Sequence, residues 1–368
     1  MDGDTPLEGD LGFGRSFTEH MATARFHAGR GWTEIEVVPF AELTLSPAAT
    51  VFHYGQAIFE GLKAYRQPDG TVALFRPEDH ARRFDASAQR LAMPVLASGA
   101  FTAACEAVVH ADRDSVPWQP GNSLYLRPML IATEAGLGVR AAGEYLFVVM
   151  ASPAGSYLAS GARSVTVWAS VDFSRAAPGG TGSAKCAGNY AAGLTAQELA
   201  AAHGCEETLW LDAIEHRWIE ELSGMNVVFV ERRIGAPRLV APPVGGTVLD
   251  GVTRRSLLEL AGRLGYDTVE RPVALDELPG ADAFSEAFAC GTAAGVVSIG
   301  AVHSAAGEVV IGDGRRGPVA TRLGAALTAI QEGRAEDPSC WRGAGHGNVS
   351  QPLHHPGPGL GRPPAKTP

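Results

Sequence analysis

The chain has 368 residues, enough for two cores at roughly 150 residues per domain, and with 45% hydrophobic and 19% charged residues it has a globular rather than a disordered composition. A formal net charge of -10 and a pI near 5.6 argue against a polyanionic partner such as nucleic acid, whose phosphates need basic residues to neutralise them. No apolar run approaches the ~20 residues of a membrane span, the acidic start Met1-Asp-Gly-Asp4 is wrong for a signal peptide, and five cysteines without a C-x-x-C suggest neither a disulfide framework nor a metal site. The expectation is a cytoplasmic protein with no nucleic-acid, membrane or metal partner.

Residues 1–14, acidic and glycine-containing, read as a flexible start. Thr23–His27 and Ile35–Phe40 follow as short strands. His53-Tyr-Gly-Gln through Phe59-Glu-Gly-Leu-Lys-Ala mixes aromatics with glycines, as backbone that is closely approached by something does, although ordinary packing explains much of it. Val72–Arg76 is a strand. Pro77 then suits the first position of a helix over Glu78–Leu91, which has acids in its first turn and Ala81, Phe84, Ala88 and Leu91 on one face. A second helix is expected over Phe101–Ala111. In the strand Ser123–Ile131, alternation puts Tyr125 and Arg127 on one face and Leu124 and Leu126 on the other. This is a candidate anion pocket or, equally, an edge strand with a solvated arginine.

After a strand over Glu144–Met150, proline, glycine and serine concentrate in Ser152–Gly161, which marks a domain boundary. The second half opens with a strand over Ser164–Ser170 and continues into Pro178-Gly-Gly-Thr-Gly-Ser-Ala-Lys-Cys-Ala-Gly-Asn-Tyr190. Only three of the chain's 30 basic side chains are lysines, Lys63, Lys185 and Lys366, so Lys185 needs its own explanation. Unlike arginine, a lysine amine can lose its proton and attack a carbonyl carbon. Gly179, Gly180 and Gly182 would let the backbone approach a bound cofactor, with Asn189 and Tyr190 adding polar groups nearby. Neither the P-loop nor the dinucleotide fingerprint fits, since Cys186 follows the lysine and Lys185 itself occupies the third glycine position. A solvated loop remains an equal alternative at this point.

Further on, a helix over Ala191–Ala202 ends at Gly204, Glu207–Asp212 and Arg217–Leu222 form a hairpin, and Gly224–Val230 is a strand. Gly251–Gly265 is a helix whose glycine-rich approach suits a phosphate, and Ala289–Gly295 offers a second such turn. Pro318–Glu332 is a last helix, and from Gly343 the Gly, Pro and His content reads as a disordered tail.

From Phe17 to Trp341 the chain resembles the branched-chain amino-acid aminotransferases, pyridoxal-phosphate enzymes of fold type IV. The motifs occur in order: Phe17-Thr-Glu-His-Met, His53-Tyr-Gly-Gln through Phe59-Glu-Gly-Leu-Lys-Ala, Phe75-Arg-Pro with Arg83, Tyr125-Leu-Arg-Pro, Lys185 with Gly188-Asn-Tyr190, Glu221 before Met225-Asn226, Gly251-Val-Thr-Arg, and Gly291-Thr-Ala. The resemblance implies an α/β (α+β) fold: a small N-terminal α/β domain over 15–154, a loop over 155–163, and a larger C-terminal pseudo-barrel domain over 164–342, with the tail at 343–368. It implies a homodimer. It also implies transamination of leucine, isoleucine or valine with 2-oxoglutarate, giving branched 2-oxo acids and L-glutamate by a ping-pong mechanism. Related fold type IV enzymes remain as alternatives: a D-amino-acid aminotransferase, an aminodeoxychorismate lyase, or an aminotransferase of a secondary pathway.

Carried over motif by motif, Lys185 is the catalytic residue and holds pyridoxal 5'-phosphate as a Schiff base, Glu221 faces the pyridine nitrogen, and Tyr190 meets the phenolic oxygen. Arg83, Val252, Thr253 and Thr292 would hold the phosphate. Glu220 is the strand-parity rival of Glu221, and the Met225-Asn226 anchor favours Glu221. The substrate pocket is assigned to Phe17, Phe59 and Tyr125, the α-carboxylate to Tyr54 and the Thr292–Ala293 turn, and the second substrate's distal carboxylate to Arg127. Gly224, Ala187 and Gly193 depart from the family pattern, which bears on pocket volume.

Overall fold

The structure is a computed structural model that describes residues 11–155, 164–278 and 283–343. The first half is built from β1 (His20–His27), β2 (Gly31–Trp32), β3 (Glu36–Pro39), α1 (Thr50–Tyr54), β4 (Ala57–Phe59), β5 (Leu62–Arg66), β6 (Val72–Leu74), α2 (Pro77–Arg90), α3 (Ala100–Ala111), β7 (Ser123–Ala132) and β8 (Glu144–Ala154). Its strands form one antiparallel sheet with the path β2-β1-β8-β7-β5-β6, to which β3 and β4 are added at β1 and β7. The apolar stripe of α2 meets α3 and this sheet: Phe84 packs on Phe101 and Phe147 at centroid distances of 5.3 and 5.7 Å. Fully burying a Phe contributes about 1.5–3 kcal/mol, so this cluster fixes α2, and with it Arg83, against the sheet. Pro77 takes the first helical position as expected.

The second half comprises β9 (Val165–Ser170), α4 (Ala187–Ala191), α5 (Leu194–Ala202), β10 (Glu207–Leu211), β11 (Ile219–Leu222), β12 (Asn226–Glu231), β13 (Arg238–Ala241), α6 (Val252–Arg263), β14 (Asp267–Glu270), β15 (Phe284–Gly291), β16 (Gly295–Ser304), β17 (Gly307–Val310) and α7 (Pro318–Gln331). The path β11-β10-β9-β16-β15-β12 returns to β11 through one pair, Glu221 with Asn226, which closes the ring. Alternation supplies two faces. Val227 and Phe229 of β12, with Ala287 and Ala289 of β15, fill the barrel, whereas Val228, Val230, Phe288 and Cys290 turn outward onto Leu257 of α6 and Leu323 and Leu327 of α7. Both faces are buried, so these strands read as continuous apolar runs. The outer layer also takes in Tyr65, Phe75 and Trp341, and the bridge between Ile58 and Cys186 joins the halves again beside Lys185.

Several boundaries move. The strand expected to stop at Met150 runs through Ser152 and Pro153 to Ala154, because β7 is long enough to pair with it throughout. The helix expected over Ala191–Ala202 is two helices. Between them the chain tightens, with Gly193 N–H donating to Tyr190 O at 3.1 Å, and an added Cβ on Gly193 would come within 3.2 Å of Trp210 Cζ2. Phe13 belongs to the start expected to be flexible, yet its ring meets Tyr125 at 4.7 Å, and Gly343, placed in the tail, donates its N–H to Leu74 O at 3.0 Å. The remaining expectations for the two termini, and most of the 155–163 loop, lie outside the described residues. No helix among the described residues is long and apolar enough to cross a membrane.

Candidate active site

A cavity of about 360 Å³ opens between the two sheets, and Lys185 reaches into it. The backbone of Lys185 is held by the opposite half: its N–H donates to Ser87 Oγ at 2.9 Å and its carbonyl accepts from Phe59 N at 3.0 Å. Asn189 staples the loop before it, donating through Nδ2 to the carbonyls of Thr181 and Ala184, both at 2.8 Å. The glycines serve this loop rather than exposing backbone to a ligand: a Cβ on Gly182 would sit 2.5 Å from Thr247 O, and Gly179 has φ +78°. Lys185 Nζ lies 2.6 Å from Tyr190 Oη and 4.8 Å from the Phe59 ring centre.

Glu221, in the strand pair that closes the barrel, also faces the cavity. Its Oε1 is 2.5 Å from Arg175 Nη2 and accepts Leu249 N–H at 3.2 Å, and its Oε2 accepts Asn226 Nδ2 at 3.1 Å. Burial pushes the Glu221 carboxyl up to about 7, against the opposing pull of Arg175 and the Leu249 N–H. A cationic ligand group placed beside it would therefore do much to keep it ionised. Glu220 does not line this cavity, as strand parity requires, and burial raises its carboxyl too.

Another part of the lining is built to meet an anion. Arg83 donates through Nε and Nη2 to Glu60 Oε1 and Oε2 at 2.6 and 2.9 Å, and through Nη1 to Asp250 O at 3.1 Å. A guanidinium has five N–H groups, so two remain on the edge away from Glu60. Glu60 also accepts the Nδ1–H of His80 at 2.7 Å, and both residues are fully buried. Burial alone would raise the Glu60 carboxyl, but Arg83 and His80 outweigh it and hold it well below the usual carboxylate range. Burial keeps His80 below its ordinary value, and so neutral at pH 7. Beside Arg83, Val252 and Thr253 present the first turn of α6, with unpaired backbone N–H groups aimed outward. Gly251 precedes them where a Cβ would lie 1.9 Å from Asn226 Oδ1, so no side chain fits at this approach.

Phe59, Tyr125, Arg127, Thr292 and Ala293 complete the cavity. Tyr125 and Arg127 share a strand face as expected, the guanidinium donating to Tyr125 Oη at 3.3 Å and lying 4.8 Å over the Phe59 ring. Tyr125 packs where Gly61 leaves room, since a Cβ there would fall 1.8 Å from its Oη. Two assignments need correcting. Phe17 is 46% exposed and stacks on Phe40 at 5.0 Å outside the cavity, while Phe13, four residues earlier, supplies the aromatic wall. Tyr54 is 39% exposed and donates to Leu137 O, so it does not line its own chain's cavity.

Sequence reasoning missed Arg175, Glu60, His80 and Phe13. Glu60 alone carried a signal, as an acid in the otherwise apolar run from Ala57 to Leu62.

The family described as Amino-transferase class IV matches residues 57–302, a span that holds every cavity residue named above except Phe13. The chain belongs to that class, whose members have fold type IV and depend on pyridoxal 5'-phosphate. It is 51% identical over 334 residues, 90% of this chain and 91% of the relative, to the probable branched-chain-amino-acid aminotransferase of Streptomyces coelicolor. The solved branched-chain amino acid aminotransferase of Escherichia coli superposes with a TM-score of 0.73 at 27% identity, covering 88% of this chain and 98% of that one. A branched-chain amino acid aminotransferase from T.th., complexed with N-(5'-phosphopyridoxyl)-L-glutamate, gives 0.70 at 29% identity, covering 88% and 98%. Within class IV, then, the chain is a branched-chain amino-acid aminotransferase.

Proposed function

We propose that the chain binds pyridoxal 5'-phosphate in the Lys185 cavity and exchanges the amino group of leucine, isoleucine or valine with 2-oxoglutarate by a ping-pong route, as a cytoplasmic homodimer. The single observation that carries this is the alignment of three groups along one cavity: an amine at Lys185, a buried carboxylate at Glu221, and an anion cradle at Arg83, Val252 and Thr253. The cavity fits the cofactor on chemistry alone. Arg83 keeps two N–H groups free, the α6 N-terminus adds more, and Thr292 stands on the same side, which suits a dianion.

Lys185 Nζ would anchor the cofactor and, once released, carry the proton lost from the substrate α-carbon. Tyr190 Oη, already bonded to Nζ, would orient that amine and meet the phenolic oxygen. Glu221 would hold a proton on the pyridine nitrogen, with Arg175, Asn226 and the Leu249 N–H fixing its direction. When bound, the cofactor supplies the electron sink that makes the α-proton acidic. Phe13, Phe59 and Tyr125 would take the aliphatic side chain, and the Thr292–Ala293 turn the α-carboxylate. Arg127, packed on two aromatic rings and without an acid partner among the described residues, would pair with the distal carboxylate of glutamate. The glutamate adduct held by the T.th. relative supports glutamate as the second amino acid.

The two sheets support the division into domains at 15–154 and 164–342, joined through 155–163. Phe52, Leu137 and Val139 are 62%, 70% and 84% exposed, and Tyr54 Oη links α1 to the Leu137 loop. That exposed apolar surface supports a dimer. Borohydride reduction of the holoenzyme followed by peptide mapping tests the reading: the label should fall on Lys185, and a label on Lys63 would overturn it.

A further inference from the structure

Beside the Thr292–Ala293 turn lies a second cavity of about 430 Å³, which shares Val252, Thr253, Gly291, Thr292 and Ala293 with the first. Its base holds Lys63. This ammonium is buried, and of its three N–H groups one donates to Ala293 O at 3.0 Å. No ion pair to Lys63 is found among the described residues, and burial without a counter-charge lowers its pKa to about 8. Arg316 lines the same cavity. Its guanidinium lies against Gly324 of α7 and has no acid partner among the described residues. None of the described lining residues is an aspartate or a glutamate, in a protein whose formal charge is -10. The acids bonded to lining residues are already committed: Glu332 to Arg334 and the Gly121 N–H, and Glu60 to Arg83 and His80. The rest of the wall is partly apolar, through Phe75, Val296 and Leu327.

We propose that this second cavity binds a small aliphatic carboxylate that carries no amino group, with Lys63 and Arg316 as its anion-recognising residues. Burying an ammonium without a counter-ion is costly, and an entering carboxylate removes that cost through charge-assisted hydrogen bonds to the N–H groups Lys63 has left. The apolar wall accepts a short hydrocarbon tail. An amino acid is disfavoured, because its ammonium would enter a cavity that already holds two cations and no acid. A 2-oxo acid or a simple fatty carboxylate meets the requirement. Ala293, whose carbonyl is the partner of Lys63, also lines the Lys185 cavity, so the two cavities share this turn. The proposal stands on Lys63, Arg316 and the cavity, and holds whichever substrates the main site prefers.

Isothermal titration of the full-length protein, saturated with pyridoxal 5'-phosphate, with 4-methylpentanoate as the probe, tests it. Two binding events per chain are expected. Lys63→Met and Arg316→Gln should each weaken one of them about tenfold to a hundredfold, the loss of one charge-assisted hydrogen bond, and leave the other event in place. Arg316→Gln should leave transamination unchanged. 2-Methylleucine, an amino acid with no α-hydrogen to lose and so no 2-oxo acid product, should give no event at this cavity. A single event with 4-methylpentanoate, a second event that both substitutions leave unmoved, or a second event of equal strength with 2-methylleucine would each overturn the proposal. If Lys63→Met fails to fold, Arg316→Gln at the cavity mouth carries the comparison.

Discussion

Glu60→Gln removes one charge from an ion pair whose two side chains are 0% and 9% exposed. Taking one partner from a buried pair costs about 3–5 kcal/mol, because the other charge is left uncompensated. The glutamine amide is close in shape. Its Oε1 can still accept from Arg83 Nε, and its Nε2, in place of Oε2, can donate to His80 Nδ1 once the neutral ring adopts its other tautomer, but it then faces Arg83 Nη2–H donor to donor. The loss should therefore fall within that range, about 3–5 kcal/mol, with Glu60→Ala nearer the upper end. Urea denaturation at pH 7 measures it, and titration with pyridoxal 5'-phosphate and with pyridoxal gives a second readout. Arg83 keeps its charge but loses the carboxylate that aims it, so the phosphorylated ligand should weaken more than the unphosphorylated one. The pH dependence has a definite sign. The Glu60 carboxyl is held below its ordinary value, so its contribution is fully present above about pH 4.3 and is lost as pH falls through the folded value. The difference between wild type and Glu60→Gln should stay level from about pH 8 to 5 and shrink below about pH 4. A deficit under about 1 kcal/mol at pH 7, the scale of a surface pair, would refute the reasoning. So would a step in the difference near pH 6.5, the ordinary histidine value, which would put the charge on His80 rather than on Arg83 alone.

Glu221→Gln should still bind the cofactor yet lose most turnover, while Glu220→Gln, outside the cavity, should be mild; absorbance titration and steady-state rates separate the two, and the reverse order would contradict the side-chain parity of β11. Arg127→Met should lower kcat/KM for glutamate or 2-oxoglutarate by about one to two powers of ten, the value of a charge-assisted hydrogen bond, and leave leucine nearly untouched. Equal losses for both in separately measured half-reactions would mean that Arg127 is structural or holds the shared α-carboxylate. Gly61→Ala places a Cβ 1.8 Å from Tyr125 Oη, and overpacking of this kind costs about 1–3 kcal/mol. The phenol should be pushed from the cavity and kcat/KM should fall for both substrates, with a near-native circular dichroism spectrum.

The sequence by itself determined the elements whose cause is local. Pro77 with Glu78 and Asp79 starts α2, alternation sets Tyr125 and Arg127 on one face of β7, and Gly204, at φ +74°, follows the end of α5. Lys185 was legible too, as a rare residue type in a run of small ones. What only the tertiary structure decided are the partnerships between groups far apart in the chain. Glu221 meets Arg175 because the barrel closes through the single pair of Glu221 with Asn226. Arg83 is aimed by Glu60 from β4's end, 23 residues earlier, with His80 as the third member. Phe13 rather than Phe17 enters the cavity, its ring against Tyr125, and Gly193 sits where Trp210 leaves little room for a side chain. Periodicity reports which face of an element is buried, but a charged side chain costs too much to bury unless a distant partner meets it. The identity of that partner is set by how strands pair and helices dock, which no local spacing encodes.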